Sequence, residues 1–91
     1  MWDNKIIDIG DVETGENYKV VFNYKGDLQV KNVSSSCGCT RPKIMGNKIT
    51  VVYKPKTSNK YPYVSVRYVT VLHKNGKFDK LLIKSNVHEE I

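Results

Sequence analysis

The sequence predicts an all-β domain, a sandwich or small barrel of six or seven short strands. Apolar and polar residues alternate with period two in segment after segment, the pattern of half-buried strands. No window places apolar residues at i, i+3, i+4 and i+7 over three capped turns, so no helix is expected. Turn residues interrupt the alternation roughly every 8–12 residues, the spacing of sandwiches and barrels. With 91 residues, the chain has room for one domain, 1–91.

The elements follow in order. Lys5 to Ile9 reads as a first short strand, and Gly10 and Gly15 bracket the connection after it. Tyr18 to Tyr24 is a second strand, with Tyr18, Val20, Phe22 and Tyr24 on one face; Lys25-Gly26-Asp27 turns the chain. Leu28 to Val33 is a third, facing inward through Leu28 and Val30. Ser34 to Arg41 reads as a loop, and Lys43 to Met45 as a very short strand ended by Gly46-Asn47. Lys48 to Lys54 presents Ile49, Val51 and Tyr53 to one side and stops at Pro55, which cannot donate to a ladder. Lys56 to Pro62 is a polar loop. Tyr63 to Lys74 is a long strand whose apolar phase slips between Val64/Val66 and Val69/Val71, so a bulge or a switch of facing is expected near Arg67. Asn75-Gly76 between alternating strands predicts a two-residue type I′ hairpin. Phe78 to Ser85 is the last strand, with Leu81 and Ile83 inward; the core is expected over about residues 5–86, with 87–91 a polar, frayed tail.

Composition sets the function class. A chain this size buries roughly 60–65% of its unfolded surface, and a substrate cleft of about 300 Å³ or more would consume much of its core. The formal net charge is +6, unevenly spread. Between Leu28 and Phe78 there is no Asp or Glu, while ten Lys and Arg fall there. Such a field favours an anionic partner; the same pattern also arises when Lys simply fills the wet face of each strand. No apolar run has the length of a signal peptide or a membrane helix, so no membrane is expected. The location follows from the assembly joined, from the host cytoplasm, or from the periplasm or exterior if a signal peptide has been removed.

The residues that carry chemistry point the same way. Cys37 and Cys39 flank Gly38. They fit part of a metal site, a tight reducible disulfide, or two small buried side chains fixing a loop. His73 and His88 are the remaining soft ligands and match no zinc spacing, so no metal and no cofactor is expected, and Cys37, Gly38 and Cys39 are read as a structural loop. A nucleophile–base pair needs an orienting acid, and Asp79 is the one acid near His73; no phosphate-binding glycine loop exists. The chain is therefore expected not to be an enzyme. Protein binding remains, with candidate residues Arg41, Lys43, Lys54, Lys56, Lys60, Tyr61, Tyr63, Lys74 and Lys77 in basic loops, and with sheet extension at an open edge as a second mode. Nucleic acid stacked on Tyr53, Tyr61, Tyr63 and Tyr68 is the competing expectation.

At Ser36-Cys37-Gly38-Cys39-Thr40 the chain resembles a family of bacterial Ig-like domains of unassigned function carrying that motif, similar in fold to the Hydin-like and major-sperm-protein-like domains. Ile7-Asp8-Ile9-Gly10-Asp11-Val12 with Gly15-Glu16 resembles the family's opening, as do Phe22-x-Tyr24 and Leu28-x-Val30-x-Asn32-Val33 its second and third strands. Ile49-x-Val51-x-Tyr53-x-Pro55 and the closing Ile83-x-Ser85-Asn86 are similar too. The departures, Ile44-Met45-Gly46-Asn47 and a long Lys74–Lys77 hairpin, lie in connections. The resemblance implies an immunoglobulin-like sandwich of about seven antiparallel strands and a binding or structural module. Family members are commonly secreted or periplasmic. Short signal-less copies are typical of tailed bacteriophages, so by analogy the expected role is an auxiliary or decoration protein of a virion. Several copies would bind a capsid, connector or tail protein. A domain of a bacterial surface protein is the alternative.

Overall fold

A computed structural model describes residues 1–35 and 40–89. Seven strands form two sheets packed as an immunoglobulin-like β-sandwich: β1 (Ile6–Glu13), β2 (Tyr18–Asn23), β3 (Val30–Ser35), β4 (Thr40–Met45), β5 (Lys48–Tyr53), β6 (Tyr63–His73) and β7 (Phe78–His88). The four-stranded sheet runs β1-β7-β6-β3 and the three-stranded sheet β2-β5-β4. Val20, Phe22, Ile49, Val51 and Tyr53 from one sheet meet Val12, Val69, Val71, Leu81, Ile83 and Val87 from the other in a single buried core. Inward residues two apart on each strand thus supply both halves of it.

Several of these expectations are corrected. The strands are not all antiparallel: β1 pairs with β7 in parallel, Ile6 beside Leu82 and Glu13 beside His88. Two chain ends running the same way along one sheet require this. The first strand is longer than expected because a register break between Asp8 and Asp11 absorbs Gly10, which takes φ +74°; a bulge lets the strand continue past a residue that cannot pair. Val87 and His88 are not frayed. Val87 is 0% exposed, and the Thr14 N–H donates to the His88 carbonyl at 3.1 Å. The hairpin after β6 is not a two-residue type I′ turn, which needs φ > 0 at both central residues; among the described residues none other than glycine has positive φ. Gly76 N–H donates to the His73 carbonyl at 3.0 Å, and His73 N–H to the Lys77 carbonyl at 2.8 Å. That is a type I turn closed by Gly76 in a bulge, a three-residue loop.

β6 pairs with β7 without interruption from Tyr63–Val87 to Leu72–Phe78, so the expected bulge near Arg67 is absent. The inward set is Tyr63, Ser65, Arg67, Val69, Val71 and His73, and Val64, 61% exposed, and Val66 face solvent. The apparent slip arises because polar residues occupy inward positions; Ser65 Oγ and Arg67 Nε are buried without hydrogen-bond partners. Val64→Thr and Val66→Thr are accordingly expected to change stability by no more than about 0.5 kcal/mol. Val69→Ala should cost about 2 kcal/mol. Urea midpoints of the three variants check the facing, and equal losses would contradict it.

Candidate functional site

The expected binding residues divide among three places. Arg41 and Lys43 lie on β4, both exposed. Arg41 stands opposite Val52, and Val52 opposite Lys19; Lys43 stands opposite Thr50, and Thr50 opposite Val21; Met45 stands opposite Lys48, and Lys48 opposite Asn23. Residues directly opposite share a face, so Lys19, Arg41, Lys43 and Lys48 all project from the outer face of the three-stranded sheet. No Asp or Glu occurs on β2, β4 or β5. Ion pairs among the described residues lie elsewhere, at Lys5–Asp79, Lys25–Asp3, His73–Asp79 and His88–Asp11. Four cations without a local counter-charge sum to a positive field that mobile salt screens over about 10 Å. Lys19 and Lys48 belong to this face and were not singled out from the sequence; each holds the polar phase of its strand, the signal that marks them.

Lys54, Lys56 and Lys60 are exposed in the connection between β5 and β6, and Lys74 and Lys77 in the hairpin between β6 and β7. These two groups sit at opposite ends of β6, an 11-residue strand spanning about 36 Å, in a domain 44 Å long. The structure does not join them. Tyr61 and Tyr63 are half-buried rather than exposed anchors, and both pack against the core. Their rings sit 5.8 Å apart. The Ser58 N–H donates to the Tyr61 hydroxyl at 2.7 Å, and the Tyr63 hydroxyl donates to the Lys56 carbonyl. Burial first, then the nearby Tyr53 phenol, raises the Tyr63 pKa. These two side chains close one end of the sandwich and shape the Lys54–Pro62 loop. Cys37, Gly38 and Cys39 lie outside the described residues.

Both histidines are paired with aspartates. His73 Nε2 lies 2.6 Å from Asp79 Oδ2, and the same carboxylate accepts from Trp2 Nε1 at 2.9 Å and Lys5 Nζ at 3.0 Å. Burial works against ionisation of Asp79 and is outweighed by the hydrogen bonds from Trp2, His73 and Lys5, which hold its pKa down to about 2. The cluster ties the start of the chain to the β6–β7 hairpin. His88 Nε2 lies 3.0 Å from Asp11 Oδ1 at the rim of a shallow cleft of about 240 Å³, lined also by Pro62, Tyr63, Val64 and Asn86. That lining holds no Ser, Thr, Cys or Lys for a base to activate. Among the described residues, no three His, Cys, Asp or Glu side chains come together to hold a metal ion.

The outer face of the four-stranded sheet differs in character. Ile6, Val64, Val66, Tyr68 and Phe78 are exposed there, with the Lys80 ammonium 5.0 Å from the centre of the Tyr68 ring. Lys80 and Lys84, opposite Thr70 and Val66, stand on this face too, so it mixes apolar side chains with cations. A family model described as a protein of unknown function, DUF1573, matches residues 1–90 of the chain. No curated protein matches it.

Proposed function

Starting from a chain that belongs to the DUF1573 family, we propose that the domain is a non-enzymatic interaction module that docks on an acidic surface of a larger protein assembly. The observation that carries this is the acid-free outer face of β2, β5 and β4, where Lys19, Arg41, Lys43 and Lys48 stand together. Cations held on paired strands rather than on loops keep fixed spacing, which favours a fixed pattern of carboxylates on a folded partner. Several copies on a phage capsid, connector or tail are the assembly the sequence resemblance suggests. Nucleic acid is the competing partner, and the aromatic residues speak against it. Stacking platforms interleave aromatics with cations. Here Tyr53 is in the core, Tyr61 and Tyr63 pack against it, and Tyr68 is on the opposite sheet.

The test is capture of partners by the tagged domain from the source lysate, at low and high salt, with and without nuclease. One abundant protein that survives nuclease and is released by salt is the expected result. The double variant Arg41→Glu with Lys43→Glu should weaken its capture at least tenfold. These side chains are exposed, so the variant's melting temperature should stay close to that of the wild type. Recovery lost on nuclease treatment would replace the protein partner by nucleic acid.

A further inference from the structure

We propose that the free edge of β2 receives an extended segment of the partner, alternating acidic and apolar residues, as an added strand of the three-stranded sheet. This rests on the reading that the partner presents carboxylates to the cationic face, and it names how they are delivered.

The sandwich has four edge strands, β1 and β3 in one sheet and β2 and β4 in the other. Three are guarded in ways that discourage pairing. In β1 the register breaks between Asp8 and Asp11, and in β3 between Val30 and Asn32. In β4 the guard is Pro42, flanked by Arg41 and Lys43. Pro42 stands opposite Val51, as does Val20 on the other side. The Tyr24 N–H donates to the Asn47 carbonyl at 2.9 Å, so even-numbered residues of β2 and odd-numbered residues of β5 turn their backbone groups toward each other. Val51 therefore serves β2, and the missing N–H of Pro42 lies on the open side of β4, where proline blocks an incoming strand.

β2 has neither a proline nor a register break, and Lys19 is its one charge. Tyr18-Lys-Val-Val-Phe-Asn23 contains no Pro, Gly or acid and pairs with β5 in six unbroken registers. By the same alternation Lys19, Val21 and Asn23 turn their backbone groups outward. The outer end of this edge is already used. The Asp3 N–H donates to the Asn23 carbonyl at 3.0 Å, and Trp2 bridges Tyr24 in antiparallel fashion. Beyond Asp3 the chain leaves for the other sheet, where the Lys5 carbonyl accepts from Leu82 N–H at 2.7 Å. The edge therefore accepts an antiparallel strand at one end, while the N–H and C=O of Lys19 and Val21 have no backbone partner among the described residues.

The flanking side chains define the occupant. On the outer face an added strand would lie beside Lys19 and Val21, in rows that continue through Val52 to Arg41 and through Thr50 to Lys43; a carboxylate suits the position beside Lys19, and the cations behind it favour an acidic outer row. On the inner face it would lie beside Val20 and Phe22, both buried; apolar side chains suit those. Period two then fixes the alternation.

The probe is a capped hexapeptide alternating valine and glutamate, titrated into the 15N-labelled full chain, with the valine–lysine peptide as control. Saturable binding should slow amide exchange at Lys19 and Val21 at least tenfold, and the lysine peptide should bind at least tenfold more weakly. Val21→Pro removes an outward N–H that no internal bond uses and should weaken the glutamate peptide at least tenfold. Shifts confined to Arg41 and Lys43, with exchange at Lys19 and Val21 unchanged, would overturn edge pairing and leave the cationic face standing. So would undiminished binding to a folded Val21→Pro. Absence of binding overturns edge pairing as well; if Arg41→Glu with Lys43→Glu also leaves partner capture unchanged, the cationic-face reading falls with it. Should Val21→Pro not fold, exchange at Lys19 and Val21 in the wild type decides.

Discussion

Removing residues 87–91 should destabilise the domain by about 4 kcal/mol, a large share of the roughly 5–15 kcal/mol that holds a small domain together. Val87 is 0% exposed and belongs to the core, and burying such a side chain contributes about 1.5–3 kcal/mol. The same deletion unpairs Val12 and Glu13 of β1 from Val87 and His88 and orphans the Thr14 N–H that donates to the His88 carbonyl. Each lost backbone bond contributes about 1 kcal/mol. A urea titration of the chain ending at Asn86, beside the full chain, measures the difference. A midpoint unchanged within error would mean that the last turn of β7 contributes nothing and that the tail is frayed after all. Glu89→Ala should by contrast be nearly silent, because Glu89 is exposed and outside the ladder.

Asp79→Ala should lower stability by about 3 kcal/mol, since removing one member of a partly buried charged cluster leaves the others unpaired. Trp2 Nε1 and His73 Nε2 would both lose their partner. The wild type should show the same carboxylate in its acid profile. Its pKa is held near 2 in the folded chain against 3.8 ordinarily. A depressed carboxylate contributes stability that is fully present above the unfolded value and lost as pH falls through the folded one. About 2 kcal/mol should therefore disappear between pH 4 and pH 2, and Asp79→Ala should flatten that part of the curve. Equal slopes in wild type and variant across this window would show that Asp79 is not held as its geometry implies. Lys5→Ala removes only the exposed member of the cluster, for which about 0.5 kcal/mol is expected.

Much of this was readable along the chain. Alternation located all seven strands, and it placed Val20, Phe22, Ile49, Val51, Tyr53, Leu81 and Ile83 in the core, because side-chain facing within one strand depends only on neighbours two residues away. The long strand from Tyr63 misled for a physical reason. Ser65 and Arg67 are polar yet inward, while Val64 and Val66 are apolar yet outward. A period-two reading assumes that hydrophobicity reports facing, and here packing against β7 overrides it. The turn at Asn75-Gly76 was placed correctly and typed wrongly, since Asn-Gly suits more than one hairpin and the strand register chooses among them.

The candidate site was legible only in pieces. Arg41 and Lys43 stood out as cations of an expected basic loop, but Lys19 precedes them by more than twenty residues. The short turn at Gly46-Asn47 makes β4 and β5 local neighbours, but nothing local says that β2 joins them. That order, like the parallel seam of β1 on β7 and the meeting of Trp2, Lys5, His73 and Asp79, comes from pairing between distant segments. Composition and alternation settled that the chain is small, basic and all-β, with most of its inward residues, because those properties are local. Which cations share a face, which edge stays open and which carboxylate binds the chain's start to its last hairpin were settled by long-range strand pairing, whose partners no local pattern encodes.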